Sequence, residues 1–160
     1  MSESSNYAYD VFIAYAEADK AWVHGELLSR LNEAKLKVCL DVRDFRPGAS
    51  RMKEYERAVV ESRKTLLILT PDFVISEWAE YVGRLAHALD PASRNMRFIP
   101  LLKKTCNLPL HIETLTLLDF VDQEQPPHTW AKLMQSLDGS FWVEDSRNIA
   151  TAPHPESNDW

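Results

Sequence analysis

Glycine is scarce in this chain, with four in 160 residues, and Gly25, Gly48, Gly83 and Gly139 stand too far apart to build a phosphate-cradling loop. Neither a dinucleotide fingerprint nor a P-loop can be written from them, which removes ordinary nucleotide-cofactor binding. Cysteine is rarer still. Cys39 and Cys106 have no metal-ligand spacing to each other or to a histidine, so reduced thiols and no metal site are expected. Positive charge is in deficit, 18 Lys and Arg against 24 Asp and Glu for a net charge of -6, and the basic residues do not cluster. Phosphate recognition needs such clusters, so nucleic acid is excluded as a partner. No apolar run approaches the roughly 20 residues of a membrane span, and Met1 to Ala8 lacks the apolar stretch of a secretory signal. A cytoplasmic protein is expected. The five histidines show no His-Glu-x-x-His spacing and no serine sits in a Gly-x-Ser-x-Gly elbow, so the common hydrolytic patterns are absent.

What is present is one domain's worth of alternating strands and helices. Tyr9 to Tyr15 reads as a central strand, apolar on both faces. Trp22, Val23, Leu27, Leu28 and Leu31 recur at helical spacing between Asp19 and Ala34, with Asp19 suited to the N-cap. Lys37 to Asp41 is a second short strand, and Arg51 to Ser62 a second helix with a solvated charged face. Thr65 to Thr70, ended by Pro71, has the composition of a strand buried on both faces. A third helix opens at Ser76 or Glu77 and closes at Asp90-Pro91. Phe98 to Leu102 and Leu117 to Phe120 supply two more strands around a loop at Pro109, and Thr129 to Leu137 a last helix. Such alternation predicts a five-stranded parallel, doubly wound sheet in the flavodoxin-like order 2-1-3-4-5, with helices on both faces. Residues 1–8 are expected to be disordered, and 143–160 to be a polar tail or a linker to a further domain.

In such a sheet, partners and ligands meet the carboxyl edge of the strands. Three segments converge there: Ala16 to Lys20, Arg43 to Ser50 and Pro71 to Trp78. The middle one is the most informative. Arg43, Asp44, Phe45 and Arg46 precede Pro47-Gly48, a pair suited to the centre of a type II turn, so the loop is expected to hold a defined shape and to display Phe45. Trp22 and Trp78 fall on apolar helix stripes, where packing is the expected role. A phospho-accepting receiver would share the sheet order but needs paired acids after the first strand, where Tyr15-Ala16 stands.

Taken in order, these residues resemble a Toll/interleukin-1 receptor (TIR) domain over residues 9–142. Tyr9 to Tyr15 resembles the family's first box, Arg43 to Gly48 the second box in its BB loop, and Phe141-Trp142 the third. Leu69 to Phe73 and Ser76-Glu77-Trp78 resemble the segment leading into the third helix. Ile99 to Leu102, Cys106 to Leu110 and Leu118 to Phe120 are similar to the form found in bacterial multidomain proteins. The resemblance implies two functions. One is association with other TIR domains, as homo-oligomers or filaments in immune or defence signalling, through a BB loop here made of Arg43, Asp44, Phe45, Arg46, Pro47 and Gly48. The alternative is cleavage of the nicotinamide-ribose bond of NAD, as substrate rather than cofactor, in a pocket that would comprise Tyr15, Ala16, Glu17, Ser76, Trp78 and Val82. That chemistry builds positive charge on the ribose carbon and needs a carboxylate beside it. The family's glutamate stands four residues after the tryptophan, and here that position is Val82. Glu80 is displaced by roughly 200° around the helix, and Glu17 and Asp19 lie in the first rim segment. Association is therefore the leading reading, with Glu80 and Glu17 as the substitute acids of the other.

Overall fold

The computed structural model describes residues 7–121 and 126–138. Phe141-Trp142, read as the third box, residues 1–6 and the 143–160 tail lie outside the described residues. Five strands form one sheet: β1 (Tyr9–Ala14), β2 (Val38–Cys39), β3 (Ser62–Leu69), β4 (Phe98–Leu102) and β5 (Leu118–Asp119), in the order β2-β1-β3-β4-β5. Every pairing is parallel, with Phe12 opposite Cys39 and Thr65, and Leu67 opposite Pro100.

Between β1 and β2 runs the helix α1, built from a 3-10 turn (Glu17–Asp19), Lys20–Trp22, a π turn (Val23–Leu27) and Leu28–Glu33. A helical turn α2 (Asp41–Asp44) follows β2. Then come α3 (Arg51–Glu61), the turn α4 (Pro71–Val74), α5 (Glu77–Leu89), the turn α6 (Leu110–Glu113) and α7 (Pro126–Asp138). The period-two alternation of β3 explains the two-sided core. Leu66 and Ile68 face α1 and α7 with Val23, Leu27, Leu31, Leu133 and Leu137. Leu67 and Leu69 face the other way, toward Tyr55, Ala58 and Val59 of α3, Ala79 and Val82 of α5, and Ile112 of α6.

Local boundaries differ from expectation for identifiable reasons. The second strand spans Val38–Cys39 rather than Lys37 to Asp41, because Asp41 opens α2 and the Asp44 carboxylate accepts from the Leu40 N–H at 2.8 Å, closing that turn. The third strand starts at Ser62, whose extended backbone ends α3 one residue earlier than expected. The last strand is shorter than Leu117 to Phe120. Asp19 makes no side-chain cap on α1, and its carboxylate has a different task.

Candidate functional site

At the carboxyl rim, Asp19 is buried to 4 % exposure. It accepts a 2.7 Å hydrogen bond from the Thr70 hydroxyl and stands 3.6 Å from the Lys104 ammonium. The loops after β1, β3 and β4 are thereby stitched together around one carboxylate. A second knot ties the rim to the α2 turn. The Tyr15 hydroxyl donates to Asp41 at 2.8 Å, and with its proton so used, His24 Nε2 donates to the same oxygen at 2.8 Å. The π turn of α1 carries His24. Asp41 also accepts from the Val42 N–H at 2.7 Å, anchoring the start of the loop. Burial first, then the Asp41 bond, drives the Tyr15 pKa far above the ordinary phenol range.

The Arg43 to Ser50 loop has a definite shape. Ala49 N–H donates to the Arg46 carbonyl at 3.2 Å across Pro47 and Gly48, and Gly48 sits at φ 85°, the conformation a type II turn requires of its third residue. Beneath the turn lies Glu54, whose side chain is 1 % exposed. It accepts from the Arg46 N–H at 2.9 Å, from Arg46 Nε at 3.0 Å and from Arg57 at 2.8 Å. Arg57 also donates to the Asp44 carbonyl at 3.1 Å. A buried carboxylate this densely solvated by guanidinium groups stays charged, and the Arg46 bonds first, then Arg57, hold its pKa down to about 2. The reading of this helix face as merely solvated is therefore corrected at Glu54.

Phe45 is also corrected. It is half-buried rather than displayed, with its ring 6.1 Å from Phe12 and 6.3 Å from Tyr55. The helical turn at 41–44 rotates it inward, and Val42, 58 % exposed, takes the outward place together with Pro47 and Gly48. Arg43 remains more than half exposed while its guanidinium donates to the Val38 carbonyl and pairs with Asp44 at 3.0 Å. A hollow of about 270 Å³ lies among Asp41, Phe45, Arg46 and Glu54. On the neighbouring rim segment Ile75 is 82 % exposed, a residue that sequence reasoning passed over.

The six positions of the suggested sugar pocket include one carboxylate, Glu17, and the Tyr15 hydroxyl is bonded to the carboxylate of Asp41. Ser76 caps α5, accepting from the Ala79 N–H at 3.3 Å. Trp78 stacks on Tyr55 at 4.9 Å with its ring parallel within 2°, and Arg51 covers it. That is the packing role expected of it; Trp22 likewise packs on Phe120 and Trp130. Val82 is 1 % exposed within the core. Glu80 points to solvent beside Arg84 at 3.4 Å, and Glu17 to solvent beside Lys20 at 3.7 Å; Ala16 carries no functional group. The Tyr55 hydroxyl is buried with no hydrogen-bond partner among the described residues.

A family profile described as "TIR domain" matches residues 11–134. Toll-like receptor 2 type-2 of Gallus gallus is 30% identical over 147 residues, covering 84% of this chain and 19% of the receptor. Human Toll-like receptor 6 is 38% identical over 82 residues, 51% of this chain and 10% of the receptor. The chain thus spans a fifth or less of the length of these curated relatives. Among solved structures, the TIR domain of the Toll-related receptor TRR-2 from Hydra magnipapillata superimposes with a TM-score of 0.74 at 27% identity, covering 82% of this chain and 99% of that one. A TIR-STING receptor from C. gigas shares the fold, with a TM-score of 0.65 at 23% identity over 82% of this chain and 41% of its own.

Proposed function

Because this chain belongs to the TIR-domain family, we propose that it works by association, with itself or with another TIR domain, in immune or defence signalling. The observation that carries this reading is the latched loop: Glu54 and Arg46 hold the Pro47-Gly48 turn in one conformation, so Val42, Pro47 and Gly48 meet a partner already ordered. Preorganisation of this kind lowers the ordering cost of binding. Ile75 on the adjacent rim segment adds an apolar contact, and Arg43 an anchor of the kind that interfaces favour.

Cytoplasmic residence belongs to the same proposal; among the described residues no helix is long and apolar enough to cross a membrane. Of the two subtypes, the metazoan one is supported by the receptor relatives named above, and the bacterial form rests on the 99–120 stretch alone. The NAD reading gains no support from the placement of Val82, Glu80 and Glu17.

The test is sedimentation of the chain over a concentration series beside Pro47→His and Ile75→Glu variants. Association that both variants weaken, with thermal stability nearly unchanged, is the expected result. Equal association by all three, each well folded, refutes the role of this rim. Incubation with NAD, followed by chromatography, is expected to release no nicotinamide.

A further inference from the structure

β5 pairs only with Leu101 and Leu102, the carboxyl end of β4, which leaves the amino half of that strand, on the side away from the rim, without a β5 partner among the described residues. The Phe120 N–H donates to the Leu102 carbonyl at 2.9 Å, so the backbone groups of residues 98, 100 and 102 turn toward the β5 side. At 98 no strand stands opposite among the described residues. Pro100 suits this edge, since it has no N–H to leave unpaired. Against the open edge lies a cavity of about 790 Å³, reaching α5 and α6 on one face and α7 on the other. Its volume falls in the range of small-molecule sites, roughly 300–1,000 Å³.

The cavity's chemistry is lopsided. Val82, Ile112 and Leu118 give it apolar walls. Two lysines line it, Lys64, which is buried, and Lys132, which is exposed, in a chain whose net charge is -6. Lys64 is 8 % exposed and donates to the Asn95 and Met96 carbonyls at 3.1 and 2.8 Å, which leaves one of its three N–H bonds without a partner among the described residues. Burial holds its pKa down to about 8. The acid on the lining, Asp90, is occupied: it accepts from the Asn95 and Arg97 N–H groups at 3.0 and 2.9 Å. The loop these bonds hold forms the lip, and it keeps Ala92, Ser93 and Met96 at positive φ, a conformation that non-glycine residues seldom adopt. The far wall depends on Gly83, because a Cβ there would come within 2.4 Å of the His111 ring.

We propose that this cavity binds a small organic anion with an apolar body, an alkyl or aryl carboxylate or sulfonate, its head against Lys64 and Lys132 and its body along Ile112 and Leu118. The site lies away from the rim, so ligand and partner can be held together.

The test is fluorescence titration of the full chain with anilinonaphthalene sulfonate, then displacement by decanoate. Saturable one-site binding reversed by decanoate is expected. Lys64→Met should weaken it by about tenfold, the value of a hydrogen bond to a charged group. Ala86→Trp, which fills the cavity, should abolish it, and Arg43→Glu on the far rim should leave it unchanged. Near-ultraviolet circular dichroism checks the fold of each variant, and Thr116→Trp, on the lining just before β5, takes the place of Ala86→Trp should the latter fail to fold. Absence of saturable binding, failure of decanoate to compete, or indifference to both Lys64→Met and the filling variant would overturn the assignment.

Discussion

Replacing Phe45 by alanine separates an anchor from a contact surface. Had Phe45 been displayed to solvent, its loss would weaken association and leave stability alone. The ring instead packs on Phe12 and Tyr55 in a partly buried position. Truncating a fully buried Phe costs about 3–5 kcal/mol, so a half-buried one should cost about 2 kcal/mol, including its share of the aromatic pairing. For a domain of this size each kcal/mol shifts the midpoint by about 2–4 °C, which puts the fall in Tm for Phe45→Ala at roughly 4–8 °C. Pro47→His, at an exposed turn position, loses mainly the stiffness of the unfolded chain, about 0.4–1 kcal/mol, and should shift Tm by less than about 4 °C. Urea and thermal melts of both proteins, with sedimentation of each, make the comparison. An unchanged urea midpoint for Phe45→Ala, with an unchanged slope, would refute the inward packing and restore Phe45 to the surface.

Glu54 is charged in the fold down to about pH 2 but takes up its proton near 4.5 when unfolded, so its contribution is present above that pH and drains away as pH falls toward 2. Glu54→Gln should flatten the acid limb of the stability curve over that interval, as followed by urea midpoints; a parallel pair of curves would count against the latch. Lys64 has the opposite sign. Its folded pKa of about 8 lies below the ordinary 10.5, so the unfolded chain binds the extra proton and stability rises from pH 8 upward, by up to about 3 kcal/mol. Above pH 9 the buried Cys39 thiol, pushed up to about 12, works against this rise. The difference between native and Lys64→Met melts isolates the lysine and should grow between pH 8 and 9; a flat difference refutes its burial. Asp19→Ala leaves Thr70 without its acceptor and should cost about 2 kcal/mol, with Asp19→Asn recovering part of it in the same melts.

The sheet order was legible because β3 is apolar on both faces and each helix after it carries its stripe at spacings of three and four. The start of α5 at Ser76 or Glu77 was equally legible, and Ser76 proves to be its cap, a local cause. What escaped detection depends on partners distant in the chain. Asp19 looks like a helix cap until Thr70 and Lys104 arrive from the loops after β3 and β4. Glu54 looks like one more charge on a mixed helix until Arg46 folds over it. Phe45 reads as displayed because nothing local announces that residues 41–44 coil and turn it inward. The π turn that brings His24 to Tyr15 has no compositional signature either. Within the site, the loop's position and its turn were readable, and its anchoring was not.

The Glu54 latch bears on portability. Because the conformation of residues 43–50 is dictated from one turn into the following helix, a chimera that transplants the loop alone would deliver its letters without its shape. The transferable cassette is Asp41 through Arg57, and helix positions that never touch a partner would then alter which partner is chosen.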